Sequence, residues 1–224
     1  MISVRHLAGL LEYQPVWQAM RDYTDSRDPQ SADEIWLLEH SPVYTLGQAG
    51  LPEHVLNPNG IPLVKTDRGG QVTYHGPGQL VAYCLLDLRR LGLYVKEYVA
   101  LLETVIIDTL AELGVPEACT KAGAPGVYVP AHVVQGARSS AHELVKIAAL
   151  GIKVRQGRCY HGLSLNVDMD LAPFLGINPC GYQGLETTDI RSCGVQVTVE
   201  QVADVLTRKL NTALMQYPQA VAAV

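Results

Sequence analysis

Two apolar runs at the period of a β-strand, Lys146 to Val154 and Cys159 to Val167, are separated by little more than Gln156-Gly157, and this spacing constrains the fold most. So short a link only lets the chain fold back on itself, because a parallel crossover needs a dozen residues or more. A second pair, Gln71 to Tyr74 and Gln79 to Leu88, is linked by His75 to Gly78 and reads the same way. Further strands are expected at Glu34 to Glu39 and Val43 to Leu46. Helical spacing governs two other segments. Tyr98, Leu101, Leu102, Val105, Thr109, Leu110 and Leu113 recur on one face, and Gly114 then Pro116 close that run. Thr198 and Gln201 have the spacing of a capping box, opening a helix through Val202, Val205, Leu206 and Leu210. The expected class is α/β of the α+β type, a mixed, largely antiparallel sheet flanked by helices.

No internal repeat or Ser/Gly linker divides the chain, so residues 1–224 are expected to form a single domain. At 48% hydrophobic and 17% charged residues, dominant disorder is excluded. The formal net charge is −5 and no long Lys/Arg run occurs, which argues against a nucleic-acid partner. The first residues lack the long apolar stretch of a signal peptide, and no window approaches a membrane span. Five cysteines, Cys84, Cys119, Cys159, Cys180 and Cys193, include no CxxC pair. Neither a disulfide framework nor a zinc knuckle is supported, and a reducing, cytoplasmic compartment fits best.

The common nucleotide cradles, GxxxxGK[ST] and GxGxxG after a strand, are absent from the sequence. His142-Glu143 opens like a zinc-protease helix, but Lys146 occupies the position of the second His. Gly162-Leu163-Ser164 has Asn166 in place of the second glycine of a nucleophile elbow, so Ser164 reads as a strand residue. Lys146 itself stands in a run that is small or apolar on both strand faces. It is either a buried amine of lowered pKa, fit to act as a base or to hold an anion, or an edge residue whose stem snorkels to water. Cys84 reads as core, whereas Cys180 lies in the turn Asn178-Pro179-Cys180-Gly181, where a substrate can reach a thiol or where the cysteine is merely structural. Gly69-Gly70 and Gly76-Pro77-Gly78 bracket a short strand, giving either close ligand approach or two tight turns. His75 and His161 are bases or hydrogen-bonded structural residues. Arg68 pairs with a carboxylate of the protein or attracts an acidic partner.

Arg68 to Gly78 (RGGQVTYHGPG), Gly123 to Val129 (GAPGVYV), Lys146 to Gly151 (KIAALG), His161 to Val167 (HGLSLNV) and Pro179 to Gly181 (PCG), with His40 to Gly47 (HSPVYTLG) before them, together resemble the lipoyl(octanoyl) transferase family in order and spacing. The resemblance covers about residues 30 to 190 and implies a fold similar to the catalytic domains of biotin and lipoate protein ligases. It implies transfer of octanoyl or lipoyl from acyl carrier protein to a lysine amino group of a lipoyl domain, in 2-oxoacid dehydrogenases and the glycine cleavage H protein. It implies no cofactor and no metal, and the protein is expected to work as a monomer. By resemblance, Cys180 is the acyl-thioester nucleophile and Lys146 the group that lowers its pKa. The acyl group is then lined by Arg68, Gly69, Gly70, Gln71, Val72, Thr73, Tyr74 and His75, by Ala149, Leu150 and Gly151, and by Gly162, Leu163 and Ser164. Ser164 stands where the family commonly has alanine, and the connection from Pro130 to Val145 is longer than the pattern.

A free thiol titrates near 8.5, so a base beside Cys180 is needed to form the thiolate at neutral pH. Attack on a carrier thioester exchanges one thioester for another, and amide formation draws the reaction forward without an adenylate. An ATP-dependent lipoate ligase of the same fold is the alternative and has no need of Cys180. Two others are a hydrolase pairing Cys180 with His75 or His161, and a scaffold that only holds a lipoyl domain. Lys65, Arg68, Lys121, Lys153, Arg155 and Arg158 lie near the motifs and are expected to form either a docking patch for an acidic carrier protein or a solvated face.

Overall fold

The computed structural model describes residues 2–136, 143–178 and 184–217. Among them are ten strands and three α-helices: β1 (Ile2–Leu11), α1 (Tyr13–Ser26), β2 (Asp33–His40), β3 (Val43–Leu46), β4 (Leu63–Lys65), β5 (Val72–His75), β6 (Gln79–Asp87), α2 (Val95–Glu112), β7 (Cys119–Thr120), β8 (Val127–Pro130), β9 (Leu144–Arg155), β10 (Arg158–Asn166) and α3 (Val199–Met215). The large sheet has the order β1-β2-β6-β10-β9-β8-β7, and a small sheet the order β4-β3-β5. Both are mixed, since β1 runs parallel to β2 and β3 parallel to β4 while the other pairs are antiparallel.

The β9–β10 hairpin forms as its spacing predicts. Gln156 and Gly157 take φ of +51° and +81°, as a type I′ turn requires, and set Arg155 opposite Arg158. The link from His75 to Gly78 does something else: β5 pairs with β3 in the small sheet and β6 with β2 and β10 in the large one. The expected hairpin is therefore a crossing between sheets. Its geometry is fixed by Gly78, whose φ is +80° and where a Cβ would collide with the Asp168 carbonyl. Gly78 N–H donates to Glu39 Oε2 at 2.6 Å, and its carbonyl accepts from Val167 and Asp168. Those bonds take the place of a ladder between β5 and β6.

Helix α2 packs one face of the large sheet together with α3. It ends as expected, with Gly114 at φ +100° and Val115 N–H returning to Leu110 O at 2.8 Å. Helix α3 carries the expected capping box, with Thr198 and Gln201 exchanging bonds of 3.3 and 2.9 Å. Helix α1 covers the opposite face through Tyr13, Val16 and Met20, which meet Trp36, Tyr83 and Tyr160. Neither β1 nor α1 was expected from sequence; β1 is a largely exposed edge strand, with too little burial to impose an alternation. The extended connection is a hairpin at its base, because Val129 and Pro130 pair with Val145 and Leu144. No helix among the described residues is long and apolar enough to cross a membrane.

A buried ion pair fixes the start of β2. Asp33 accepts from Arg27 and, at 2.7 Å, from Arg90, with the Arg27 and Asp33 side chains 1% and 2% exposed. It also accepts the Asp87 N–H at 2.8 Å. Asp33→Ala leaves a buried guanidinium without its carboxylate, and we expect a loss of about 3 kcal/mol or more in urea unfolding. A loss under about 1 kcal/mol would show that the Leu85 carbonyl, which accepts from Arg27 at 2.9 Å, satisfies that guanidinium by itself.

Candidate functional site

The site is a trough that the two long strands form by having almost no side chains there. Ala149 lies opposite Ser164 and Gly151 opposite Gly162. Residues two apart in a strand share a face, so these two pairs form a continuous small-residue floor. Gly162 admits nothing larger, because a Cβ would strike the Ala82 carbonyl of β6. The alternate residues Ala148, Leu163 and Leu165 join the core beneath. Val81 and Tyr83 from β6, and Val72, Thr73 and His75 from β5, help to line the cavity above this floor.

Arg68 ties the small sheet to the loop that covers the trough. Its buried guanidinium donates to Thr45 O at 2.6 Å, to Thr45 Oγ1 at 2.8 and 3.1 Å, to Gln71 O at 2.8 Å and to Gly69 O at 2.9 Å. Gly69 N–H then donates to Ile152 O of β9 at 2.9 Å. Arg68 thus serves as an internal tie of the motif, and its place in the proposed surface patch is corrected. Arg155 pairs with Asp25 at 2.9 Å and the half-buried Arg158 with Asp87 at 3.8 Å, while Lys65 and Lys121 are exposed and Lys153 is half-buried. Lys153 bonds Gln48 at 3.2 Å.

His75 is fixed by a chain of side-chain amides. Asn166 Nδ2 donates to Thr188 O, Gln79 Nε2 donates to Asn166 Oδ1 and to Tyr74 O, and Gln79 Oε1 is left to accept from His75 Nδ1 at 2.7 Å. The proton of the imidazole therefore sits on Nδ1. Burial pushes its pKa down to about 3. His40, which bonds Leu11 O and the Tyr83 hydroxyl, is lowered to about 4 for the same reason. Tyr13 stacks on His75 with ring centroids 6.0 Å apart.

Lys146 lies near the start of β9, between β8 and β10, and is 4% exposed. The snorkelling alternative is thereby removed. Its Nζ donates to Pro125 O at 3.1 Å and lies 5.4 Å from the Tyr128 ring centroid. A Cβ at Gly126 would sit 2.6 Å from Lys146 Cε, so glycine makes room for the amine. The backbone of Lys146 is bonded to Glu186 and Thr188, which pins residues 186–188 alongside β9. Cys180 itself lies outside the described residues. The other four cysteines are placed: burial pushes the thiols of Cys84 and Cys193 up to about 11 and that of Cys159 up to about 12, and raises Cys119.

Of the residues expected at the site, Arg68, Gly70, Gln71, Val72, Thr73, His75, Lys146, Ala149, Leu150, Gly151, Gly162, Leu163 and Ser164 line one cavity. Tyr74 does not: it packs in a separate cluster with Tyr44 and Phe174. Gly69 acts through its backbone bond to β9. Tyr13, Gln79, Tyr83 and Asn166 also line the cavity and were not singled out. Gln79 and Asn166 are buried amides in apolar strands, and that is the sequence signal that would have found them.

The description "Lipoyl protein ligase A/B catalytic domain" matches residues 12–211. An octanoyltransferase of Bordetella bronchiseptica is 58% identical over 98% of this chain and 96% of its own length. In three dimensions the chain resembles a bipartite lipoate protein ligase of Thermoplasma acidophilum, with a TM-score of 0.68 at 16% identity over 96% of this chain and 85% of that one. It also resembles a lipoate-protein ligase A bound with ATP, with a TM-score of 0.69 at 16% identity over 95% and 86%.

The lowered pKa values of His40 and His75 make stability depend on acid. Between about pH 6.5 and pH 4 the unfolded chain binds protons that these buried imidazoles do not, so stability falls as pH falls through that window. We expect on the order of 2 kcal/mol per imidazole between pH 7 and pH 5, measured by urea unfolding and reduced in His75→Gln. Equal pH slopes for the two proteins would contradict the assignment.

Proposed function

The chain belongs to the lipoyl protein ligase A/B catalytic domain family, and from that membership we propose that it takes an octanoyl or lipoyl group from acyl carrier protein onto Cys180 and passes it to a lysine of a lipoyl domain. It is an acyltransferase, and its reaction is octanoyl transfer in protein lipoylation. The acceptors we propose are the lipoyl domains of 2-oxoacid dehydrogenases and the glycine cleavage H protein, served in the cytoplasm by a monomer.

The observation that carries the mechanism is Lys146, an amine buried at one end of a trough floored by Ala149, Gly151, Gly162 and Ser164. In the first half-reaction the thiol proton of Cys180 passes to Lys146, and the thiolate attacks the carrier's thioester carbonyl. The carbon–sulfur bond to the carrier breaks, and the carrier thiolate leaves and takes up a proton. In the second, the acceptor amine attacks acyl-Cys180, a carbon–nitrogen bond forms, the carbon–sulfur bond to Cys180 breaks, and the departing thiolate takes up the proton that the amine gives up. The thioester supplies the free energy for the amide, so ATP has no part. The remaining four thiols are all raised by burial, which supports Cys180 as the nucleophile.

The ATP-dependent ligase reading has weaker support, because the likeness to such ligases is one of fold at 16% identity while the relative at 58% is an octanoyltransferase. The hydrolase reading needs a free imidazole beside Cys180. Both nitrogens of His75 are engaged, Nδ1 by Gln79 and Nε2 by Thr45 at 3.4 Å, and His161 stands opposite Ile152, six residues along β9 from Lys146.

Mixed with octanoyl carrier protein and no ATP, the protein should gain the mass of one octanoyl group, mapped to Cys180 and absent in Cys180→Ala. Lys146→Arg should lose at least about a hundredfold in turnover, since arginine stays protonated and takes no proton from the thiol. An adduct on Cys84 or Cys159, or near wild-type turnover by the arginine variant, would refute the respective role.

A further inference from the structure

The cavity ends, away from Lys146, at a histidine in an unusual state. Strand alternation would turn His161 away from the face shared by Tyr160's neighbour Gly162 and by Ser164. Instead its φ is +61°, a left-handed conformation that is costly for a residue other than glycine. The ring is stacked on adjacent Tyr160 with centroids 5.0 Å apart, and His161 lines the cavity while only 1% exposed.

Its tautomer is set from behind. Nε2 lies 2.9 Å from Asp67 Oδ1, and the same carboxylate accepts from Trp17 Nε1 and the Tyr160 hydroxyl. These donors hold the Asp67 pKa well below the usual carboxylate range. A carboxylate only accepts, so the His161 proton sits on Nε2 and Nδ1 is an acceptor. That Nδ1 is buried and has no hydrogen-bond partner among the described residues. Burial also lowers the imidazole pKa, against the pull of Asp67, which keeps the ring neutral.

The strand register locates this acceptor. Ile152 lies opposite His161, six residues along β9 from Lys146, and six residues of strand span roughly 20 Å. With carbon–carbon bonds near 1.5 Å, an extended octanoyl chain covers roughly 9 Å and a dodecanoyl chain roughly 14 Å. The lysine stem takes up part of the distance. An eight-carbon chain anchored at the Lys146 end stops short of the imidazole, and a twelve-carbon chain meets it.

We propose that Nδ1 of His161, fixed as an acceptor by Asp67, sets the chain-length limit of the acyl cavity. A plain chain long enough to reach Nδ1 seals a polar atom against methylene and is rejected; a chain ending in a hydroxyl at that depth donates to it and is accepted. This inference rests on the acyl-transfer reading above and names the specificity determinant of the same site.

The test offers the wild-type protein carrier-bound octanoyl, decanoyl and dodecanoyl chains, and ω-hydroxyacyl chains matched to the longer two in number of chain atoms. Relative kcat/KM should fall at least about tenfold from octanoyl to dodecanoyl, and at one or more lengths the hydroxylated chain should exceed its plain counterpart by about tenfold. In His161→Gly, which tolerates the positive φ, the dodecanoyl-to-octanoyl ratio should rise about tenfold and the hydroxyl advantage should vanish. Octanoyl transfer with no hydroxyl advantage at any length in the wild type overturns the role of His161 alone, and this arm decides even if the glycine variant does not fold. Persistence of the advantage in His161→Gly also overturns it. Absence of octanoyl transfer by the wild type overturns the acyl-transfer reading and this inference together.

Discussion

A guanidinium buried where two sheets meet holds the cavity in shape. Arg68 satisfies the carbonyls of Thr45, Gly69 and Gln71, groups that a loop crossing a protein interior would otherwise leave unpaired at a cost of about 1–3 kcal/mol each. Through Gly69 the same loop is bonded to Ile152 of the large sheet. The small sheet therefore stands at a fixed height above β9 and β10, and the space between them becomes a cavity. The close approach needs glycine as well: a Cβ at Gly47 would meet the Gly70 carbonyl, and one at Gly151 would lie 3.1 Å from Arg68 Cδ.

The polar groups around this cavity are arranged so that few of them carry charge. His40 and His75 are held neutral by burial, and the amides of Gln79 and Asn166 spend their donors and acceptors on each other, on His75 and on backbone. Such an interior takes a hydrocarbon chain without an ion to desolvate. Lys146 is the amine set among small residues at one end, with Gly126 leaving it room. On the proposed mechanism, the acyl chain lies along the floor and proton transfer takes place at the Lys146 end.

Local chemistry made parts of this legible in the sequence. The β9–β10 hairpin follows from Gln156-Gly157, and both long helices follow from their period and caps, because each of those signals is complete within a few residues. The His75–Gly78 link misled for the same reason: a turn shows that the chain reverses or bends, whereas the partner of β5 is decided by β3, some thirty residues earlier. Helix α1 carries only a weak period in Tyr13, Val16, Met20 and Tyr23. At the site, the glycine-bracketed motif and Lys146 could be found from residue type. Asp67 could not, since an acid declares itself only when the fold shows what it pairs with. The left-handed φ of His161 likewise has no signature in its residue type.

The central claim is that one enzyme-bound thioester lies between donor and acceptor. It is tested by loading the protein with octanoyl from carrier protein, separating the carrier completely, and adding an apo lipoyl domain without ATP while following both masses. The account predicts that the octanoyl mass leaves the enzyme and appears on the lipoyl-domain lysine at a rate no slower than steady-state turnover. An acylated enzyme that releases free octanoate, or that keeps its acyl group until carrier protein is restored, would contradict it.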